Sequence, residues 1–399
     1  MKKNFVNKTD YGLVFTEYFF QCCLQKQFDD PHLIVDIAEY APSASESMAH
    51  EIKNPKSGDH PIGVQRYNLS FLKNGEIKHV VVIAKSKISE QNYLQIITGA
   101  FETCGIKTRQ PLISYLSQLE FENVNRKEIM IYEMQKDHAA FQQYLPSSYG
   151  TYLSEDGRVC VLILQYLKEE YLSLDLFNFE KWDQIAIDGF IDAISQLHAV
   201  WYGREKEVAK IPGFENVLDL NKMQQFMPYW LALLAAVEQA KPPFMQASDY
   251  DLHHELLIDL TTWRGQIDAM KKTLVHNDCV PKNVGINLTD GEKQIYVYDW
   301  ELATVHLPQR DVVEFLSYVL PRDFSLELLT HYIERQRIKL AETTGENIHK
   351  QEWVLGFKYS IYDYLIQRIM PQIVFEKLEA RNIEKVYANA RRMMALLPE

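Results

Sequence analysis

Within Leu274-Val275-His276-Asn277-Asp278-Cys279-Val280-Pro281-Lys282-Asn283 an aspartate stands five residues before an asparagine, two residues after a histidine. An apolar run follows and closes on two further acids, Asp299-Trp300-Glu301. Phosphoryl transfer asks for little covalent chemistry from a protein. It needs cations that bridge the phosphates, oxygen ligands that hold those cations, and a base near the acceptor hydroxyl. A loop of this spacing meets two of those needs, with Asp278 facing the acceptor as catalytic base and the Asn283 side-chain oxygen reaching a magnesium ion. Asp299 is then the stronger metal ligand, provided the chain carries it back. Asp290-Gly291 between two apolar runs is a two-residue hairpin signal, and such a hairpin returns Asp299 to the side of Asn283.

These residues resemble the catalytic loop and metal strand of the aminoglycoside phosphotransferase and choline kinase-like family, in which H-G-D-x-x-x-x-N precedes an apolar strand and D-[WF]-[ED]. Asn277 stands where glycine is usual, and asparagine is the residue that next best tolerates a positive φ. Cys279 replaces a common leucine or isoleucine and reads as a small buried hydrophobe, not a nucleophile. The resemblance implies a two-lobed, protein-kinase-like α+β fold, with a small β-rich N-lobe and a larger, mainly helical C-lobe. It implies ATP as phosphate donor, Mg2+ as cofactor and a hydroxyl-bearing small molecule as acceptor. Leu197-His198-Ala199 match the family's helix ending in L-H-A, which gives His198 a role in bracing the catalytic loop. Asp311 falls where the family opens its next helix with aspartate, and capping or loop bracing is the role expected of it.

The same resemblance calls for a lysine on the third strand, paired with a helix glutamate. "VVVIAKSK" offers Lys85 and, on the same strand face, Lys87. Lys85 follows the apolar run directly and is the expected phosphate lysine. Glu128, in a helix expected over 125–145, is its expected partner, and Glu90 is the alternative. With Glu128 in that role, residues 88–123 form an insertion between lysine and glutamate. The adenine-binding hinge should follow "VCVLIL", with backbone groups of Gln165, Tyr166 and Leu167 meeting the base. The phosphate-covering loop should lie within 41–63, which holds Ser57 and Gly58 but no G-x-G-x-x-G, and no Walker A pattern occurs anywhere.

These residues need elements to carry them. Residues 33–40, 64–72, 78–87 and 157–167 read as strands, with Asn74-Gly75 as a hairpin turn. Residues 89–105 read as a helix opened by Ser89 and stopped by Gly105. The N-terminal 27 residues read as one amphipathic helix, not a signal peptide. Beyond residue 170 helical spacing dominates, interrupted by a β-rich island at 274–305. A chain of 399 residues exceeds one ordinary core, at about one domain per 150 residues. The boundary expected is 1–167 for a nucleotide-binding lobe and 168–399 for a helical lobe with catalytic loop and substrate site.

The acceptor site is less legible. Residues 220–272 mix rings and acids, among them Phe226, Tyr229, Trp230, Asp249, Asp259 and Trp263, which can hold a cation. Amphipathic helices packing their rings inward explain the same pattern and are the preferred reading.

With 42 Lys+Arg against 54 Asp+Glu the formal charge is −12, which argues against a nucleic-acid partner. No run of 18 apolar residues exists, so no membrane span is expected. The five cysteines are scattered without a CxxC pair, which points away from zinc and disulfides and toward a reducing cytoplasm. A protein kinase is disfavoured, because no A-P-E-type segment follows Asp299-Trp300-Glu301. A nucleotide-binding pseudokinase with a regulatory or scaffolding role is the alternative of a different class. The complete His/Asp/Asn/Asp set argues against it.

Overall fold

The computed structural model describes residues 6–9, 12–41, 63–87, 89–103, 115, 122–155, 159–168, 171, 182–287, 294–375 and 383–398. Residues 42–62 of the expected phosphate-loop stretch and the Asp290-Gly291 turn lie outside them, as do 88, 104–114 and 116–121 of the expected insertion.

The chain opens with a hairpin, β1 (Val6–Thr9) and β2 (Gly12–Phe15), followed by helix α1 (Glu17–Phe28). This corrects the expectation of a single N-terminal helix. Thr16 caps α1 by accepting the Phe19 N–H, so the helix cannot begin earlier without losing that cap. Strands β3 (Ile34–Ala41), β4 (Gly63–Lys73), β5 (Glu76–Lys87), β6 (Ser148–Leu153) and β7 (Cys160–Gln165) form one antiparallel sheet, ordered β3-β4-β5-β7-β6. Asn74 and Gly75 both have positive φ and turn β4 into β5, as that dipeptide does in tight hairpins.

The period of two along each strand divides the sheet between two cores. Val82, Ala84, Val161 and Ile163 face α1 and pack with Phe15, Phe19, Phe20 and Tyr67. Cys160, Leu162 and Leu164 face the other way and join the large helical core. On that second face β5 presents Ile83, Lys85 and Lys87. The element covering it is α3 (Val124–Met134), which follows α2 (Glu90–Thr103). Val124, Glu128, Ile131 and Tyr132, at helical spacing, are all buried. The helix expected over 125–145 is three pieces: α3, a 3-10 turn at Gln135–Asp137, and α4 (Ala139–Tyr144).

Helices then dominate: α5 (Gln184–Ala199), α6 (Glu205–Val208), α7 (Leu220–Gln225), α8 (Met227–Ala240), α9 (Ala247–Ile258) and α10 (Leu260–Ala269). The β island consists of β8 (Thr273–Val275), β9 (Val284–Asn287), β10 (Gln294–Val297) and β11 (Thr304–His306), paired β8 with β11 and β9 with β10. After it come α11 (Gln309–Val319), α12 (Leu326–Thr344) and α13 (Lys350–Tyr364), a π-helical turn at Leu365–Ile369, then α14 (Met370–Phe375) and α15 (Ile383–Leu396). The molecule therefore joins a small antiparallel-sheet lobe to a larger, mainly helical one. Among the described residues no helix is long and apolar enough to cross a membrane.

Candidate active site

The two halves of the motif read from the sequence lie side by side. β9 and β10 pair with Val284 opposite Val297, and the Tyr298 N–H donates to the Asn283 carbonyl at 3.1 Å. Asp299, one residue on, leaves the strand at φ +70. The loop between β8 and β9 is held from several directions. Asp311, fully buried at the start of α11, accepts the His276 N–H at 2.8 Å, the Asn277 N–H at 2.9 Å and His198 Nε2 at 2.9 Å. Burial works against the Asp311 charge, but His198, His276 and the Asn277 amide outweigh it and hold the carboxyl below its ordinary value. His276 donates Nε2–H to the Tyr298 carbonyl (2.9 Å) and accepts the Asp278 N–H at Nδ1 (3.2 Å), which fixes its tautomer. Its ring lies 4.7 Å from that of Trp300.

Asn277 sits at φ +61, a left-handed conformation that glycine adopts freely and asparagine tolerates. Its side chain donates to the Leu302 carbonyl at 3.0 Å, and its own carbonyl accepts from Arg368. Asn283 Nδ2 donates to both the carbonyl and Oδ2 of Asp278, each at 2.9 Å. Cys279 is fully buried, and burial pushes its thiol far above the ordinary range, so it is no nucleophile. Its N–H donates to Glu314 at 3.0 Å.

The sheet brings its own residues to the same place. Lys85 Nζ lies 3.0 Å from each carboxylate oxygen of Glu128 and 2.5 Å from Asp299 Oδ1. Lys87 Nζ lies 2.8 Å from Glu128 Oε2 and pairs with Glu301 as well. The carboxylates of Glu128, Asp299 and Glu301 approach within 4.8 Å of one another. Burial raises the Asp299 pKa, but Lys85 and Lys87 override it and hold the carboxyl well below the ordinary value. Glu301 goes the other way: burial is the largest influence, Lys87 opposes it, and the carboxyl is pushed up to about 7. Glu90 does not join this group. It accepts the N–H groups of Asn123 and Asn125, both at 3.2 Å, capping the start of α3.

At the strand end after β7, the Tyr166 N–H donates to the Val81 carbonyl at 3.2 Å, and Arg66 lies over the Tyr166 ring. Leu167 packs near Gly285 of β9. The rings weighed as a cation site are core instead: Phe226, Tyr229, Trp230 and Trp263 are at most 4% exposed. The indole N–H groups of Trp230 and Trp263 are spent on the carbonyls of Met223 and Leu256. Tyr115, within 88–123, packs among Phe226, Tyr229 and Trp230 of the helical lobe.

Sequence reasoning passed over three contributors. Glu301 is part of the motif, but its pairing with Lys87 depends on how the turn after β10 meets β5. Glu314 and Arg368, which hold the backbone of Cys279 and Asn277, carry no local signal. A buried group of Arg264, His306, Arg310 and Asp363 underlies them, with Arg264 Nη1 at 2.9 Å from Asp363 Oδ1.

A strand lysine clamped by a helix glutamate, facing an Asp-x4-Asn loop and the acid that follows it, is the arrangement of protein-kinase-like phosphotransferases. The profile of the phosphotransferase enzyme family (APH) matches residues 144–345, just over half of the chain, and the protein belongs to that family. It is therefore a phosphotransferase. The comparison with curated protein sequences finds no match. Among solved structures, the GDP complex of aminoglycoside 2'-phosphotransferase-IIIa is 15% identical with a TM-score of 0.42, covering 95% of this chain and 99% of its own. A choline/ethanolamine kinase family protein from Mesorhizobium loti is 13% identical with a TM-score of 0.40, covering 68% and 79%. An ethanolamine kinase from Plasmodium vivax is 10% identical with a TM-score of 0.41, covering 90% and 82%.

Proposed function

We propose that the protein transfers the γ-phosphate of ATP to a hydroxyl of a small molecule, assisted by Mg2+, with Asp278 as catalytic base. The observation that carries this reading is the meeting of Lys85, Glu128 and Asp299 within hydrogen-bond distance, beside the loop that holds Asp278 and Asn283.

In this reading Asp278 orients the acceptor hydroxyl and takes its proton. The two bonds from Asn283 Nδ2 fix the Asp278 carboxylate for that task and leave the Asn283 amide oxygen as the atom for a cation. Asp299, partly exposed and ionised, is the main cation ligand. The donor set fits a hard cation: the carboxylates of Glu128, Asp299 and Glu301 offer oxygen ligands within 4.8 Å of one another. Magnesium held there supplies neutralisation of phosphate charge during transfer. Lys85, held by Glu128, positions the phosphates. The Gln165 and Tyr166 amides are already engaged with the Ser147 and Val81 carbonyls, which leaves the Leu167 amide of the hinge to meet the adenine edge.

Residues 1–167 form the nucleotide-binding lobe in this reading, with 88–123 inserted between lysine and glutamate, and 168–399 carry the acceptor site. A reducing cytoplasm suits the chain, since the four described cysteines are free thiols. The test is Asp278→Asn. Turnover with ATP should fall about 10²–10⁴-fold while nucleotide affinity and unfolding temperature hold. Retained turnover in a folded variant would overturn the role of Asp278.

A further inference from the structure

The sheet face that carries Lys85 carries a second cation nearer the hinge. β4 pairs with β5 so that Val64 stands opposite Lys85 and Arg66 opposite Ile83. Directly paired residues point to the same face, and Arg66 therefore shares the face of Ile83 and Lys85. Tyr67, the next residue, is buried in the opposite core with α1, as the alternation requires. Lys85 and Ile83 lie opposite Leu162 and Leu164 of β7, and the Tyr166 N–H meets the Val81 carbonyl beyond them. The step from Lys85 to Arg66 is thus a step of two residues toward the hinge. There the Arg66 guanidinium lies 5.2 Å from the centre of the Tyr166 ring.

Arg66 is half-buried and weakly held. Its Nη1 lies 3.5 Å from the Tyr166 hydroxyl, at the limit of a hydrogen bond, and its Nε is buried with no hydrogen-bond partner. Among the described residues no carboxylate pairs with it, although acids outnumber bases by 54 to 42 in the whole chain. A guanidinium partly removed from water without a carboxylate is costly, and a ligand that covers its face offsets that cost. The hinge offers little with which to grip a base by its edge, because the Gln165 and Tyr166 amides are already engaged. We infer that Arg66 holds the base of the nucleotide by its face, stacking its guanidinium on the purine while the phosphates meet Lys85. The inference rests on the reading of Lys85 as phosphate lysine and of 165–167 as hinge, and adds the residue that binds the base. A planar guanidinium stacks on aromatic rings, as this one already does on Tyr166. A ring face carries no donor–acceptor pattern, so the contact adds affinity without selecting adenine over guanine.

Calorimetry on the full chain in the presence of Mg2+ tests this with ADP, GDP, adenosine and pyrophosphate as probes. Arg66→Gln should weaken ADP, GDP and adenosine by a common factor, about three- to thirtyfold, and leave pyrophosphate within about twofold of wild type. Arg66→Lys, which keeps the charge but loses the plane, should retain part of the affinity. Thermal unfolding checks that each variant folds, and Arg66→Met provides a second route should Arg66→Gln not fold. ADP and adenosine affinities within about twofold of wild type in a folded variant would overturn the inference. So would an equal loss for pyrophosphate, which assigns Arg66 to the phosphates, or a loss for GDP far from that for ADP, which assigns it to the base edge. A wild-type chain that binds neither ADP nor GDP strikes the nucleotide reading, whereas nucleotide bound with unchanged affinity in Arg66→Gln strikes the role of Arg66 alone.

Discussion

Replacing Asp311 with asparagine keeps shape and volume but removes one acceptor from the carboxylate beneath the Asp278 loop. Three donors converge on it: His198 Nε2 and the His276 N–H on Oδ2, and the Asn277 N–H on Oδ1. An amide has one oxygen, so whichever way the asparagine is turned, an NH2 meets a donor. Hydrogen bonds to a charged acceptor contribute about 1.5–3 kcal/mol, and a buried donor left unpaired costs about 1–3 kcal/mol. The expected loss is therefore about 3–5 kcal/mol, enough to be plain in denaturant titrations yet within the usual 5–15 kcal/mol of total stability. The loss has a direction as well. Asn277 is held at φ +61, which costs a residue other than glycine roughly 1–2 kcal/mol, and Asp311 is one of the groups that hold it there. Once that grip loosens, Asp278 shifts, and a displacement near 1 Å costs about 10²-fold in rate. Guanidinium unfolding and steady-state kinetics on the same preparation measure both effects. A variant within 1 kcal/mol of wild type with turnover within about threefold would refute the bracing role.

Lys87→Met should destabilise the protein by about 3 kcal/mol, because it strands Glu128 and Glu301 beside a single lysine. The double variant with Glu301→Leu should recover most of that loss in a denaturation cycle. His253 is buried with no hydrogen-bond partner for either ring nitrogen among the described residues. Burial, then Arg391, lower its pKa to about 4 from 6.5. A depressed histidine contributes stability above pH 6.5 that is lost as pH falls toward 4, up to roughly 3 kcal/mol. His253→Phe should flatten that part of the stability profile, and an unchanged slope would refute the assignment. Gly150 has φ +145, and a Cβ there would lie 2.9 Å from Cys23 Cβ. Gly150→Ala should therefore lower stability by about 2–4 kcal/mol in thermal or denaturant unfolding, through backbone strain and the clash with α1.

Much of the site was written locally. The period of two along 78–87 put Lys85 and Lys87 on one face, and helical spacing put Glu128 in line with Ile131 and Tyr132. The Asp-x4-Asn spacing followed by an apolar run to Asp299 set out a loop and a returning strand. Each of these is a short-range geometric consequence of side-chain type and backbone period. Other features waited on packing. Both Glu90 and Glu128 sit on helices that follow β5, and only the seating of α3 against the sheet gives Lys85 to one and a capping role to the other. The N-terminal segment reads as helical, yet the Thr16 cap starts the helix late and leaves a hairpin before it. Lys85 and Asp299 stand 214 residues apart, and Arg368 reaches Asn277 across 91. Such pairings leave no periodic trace, because the energy that selects them comes from burying two distant surfaces together and from pairing every charge caught between them.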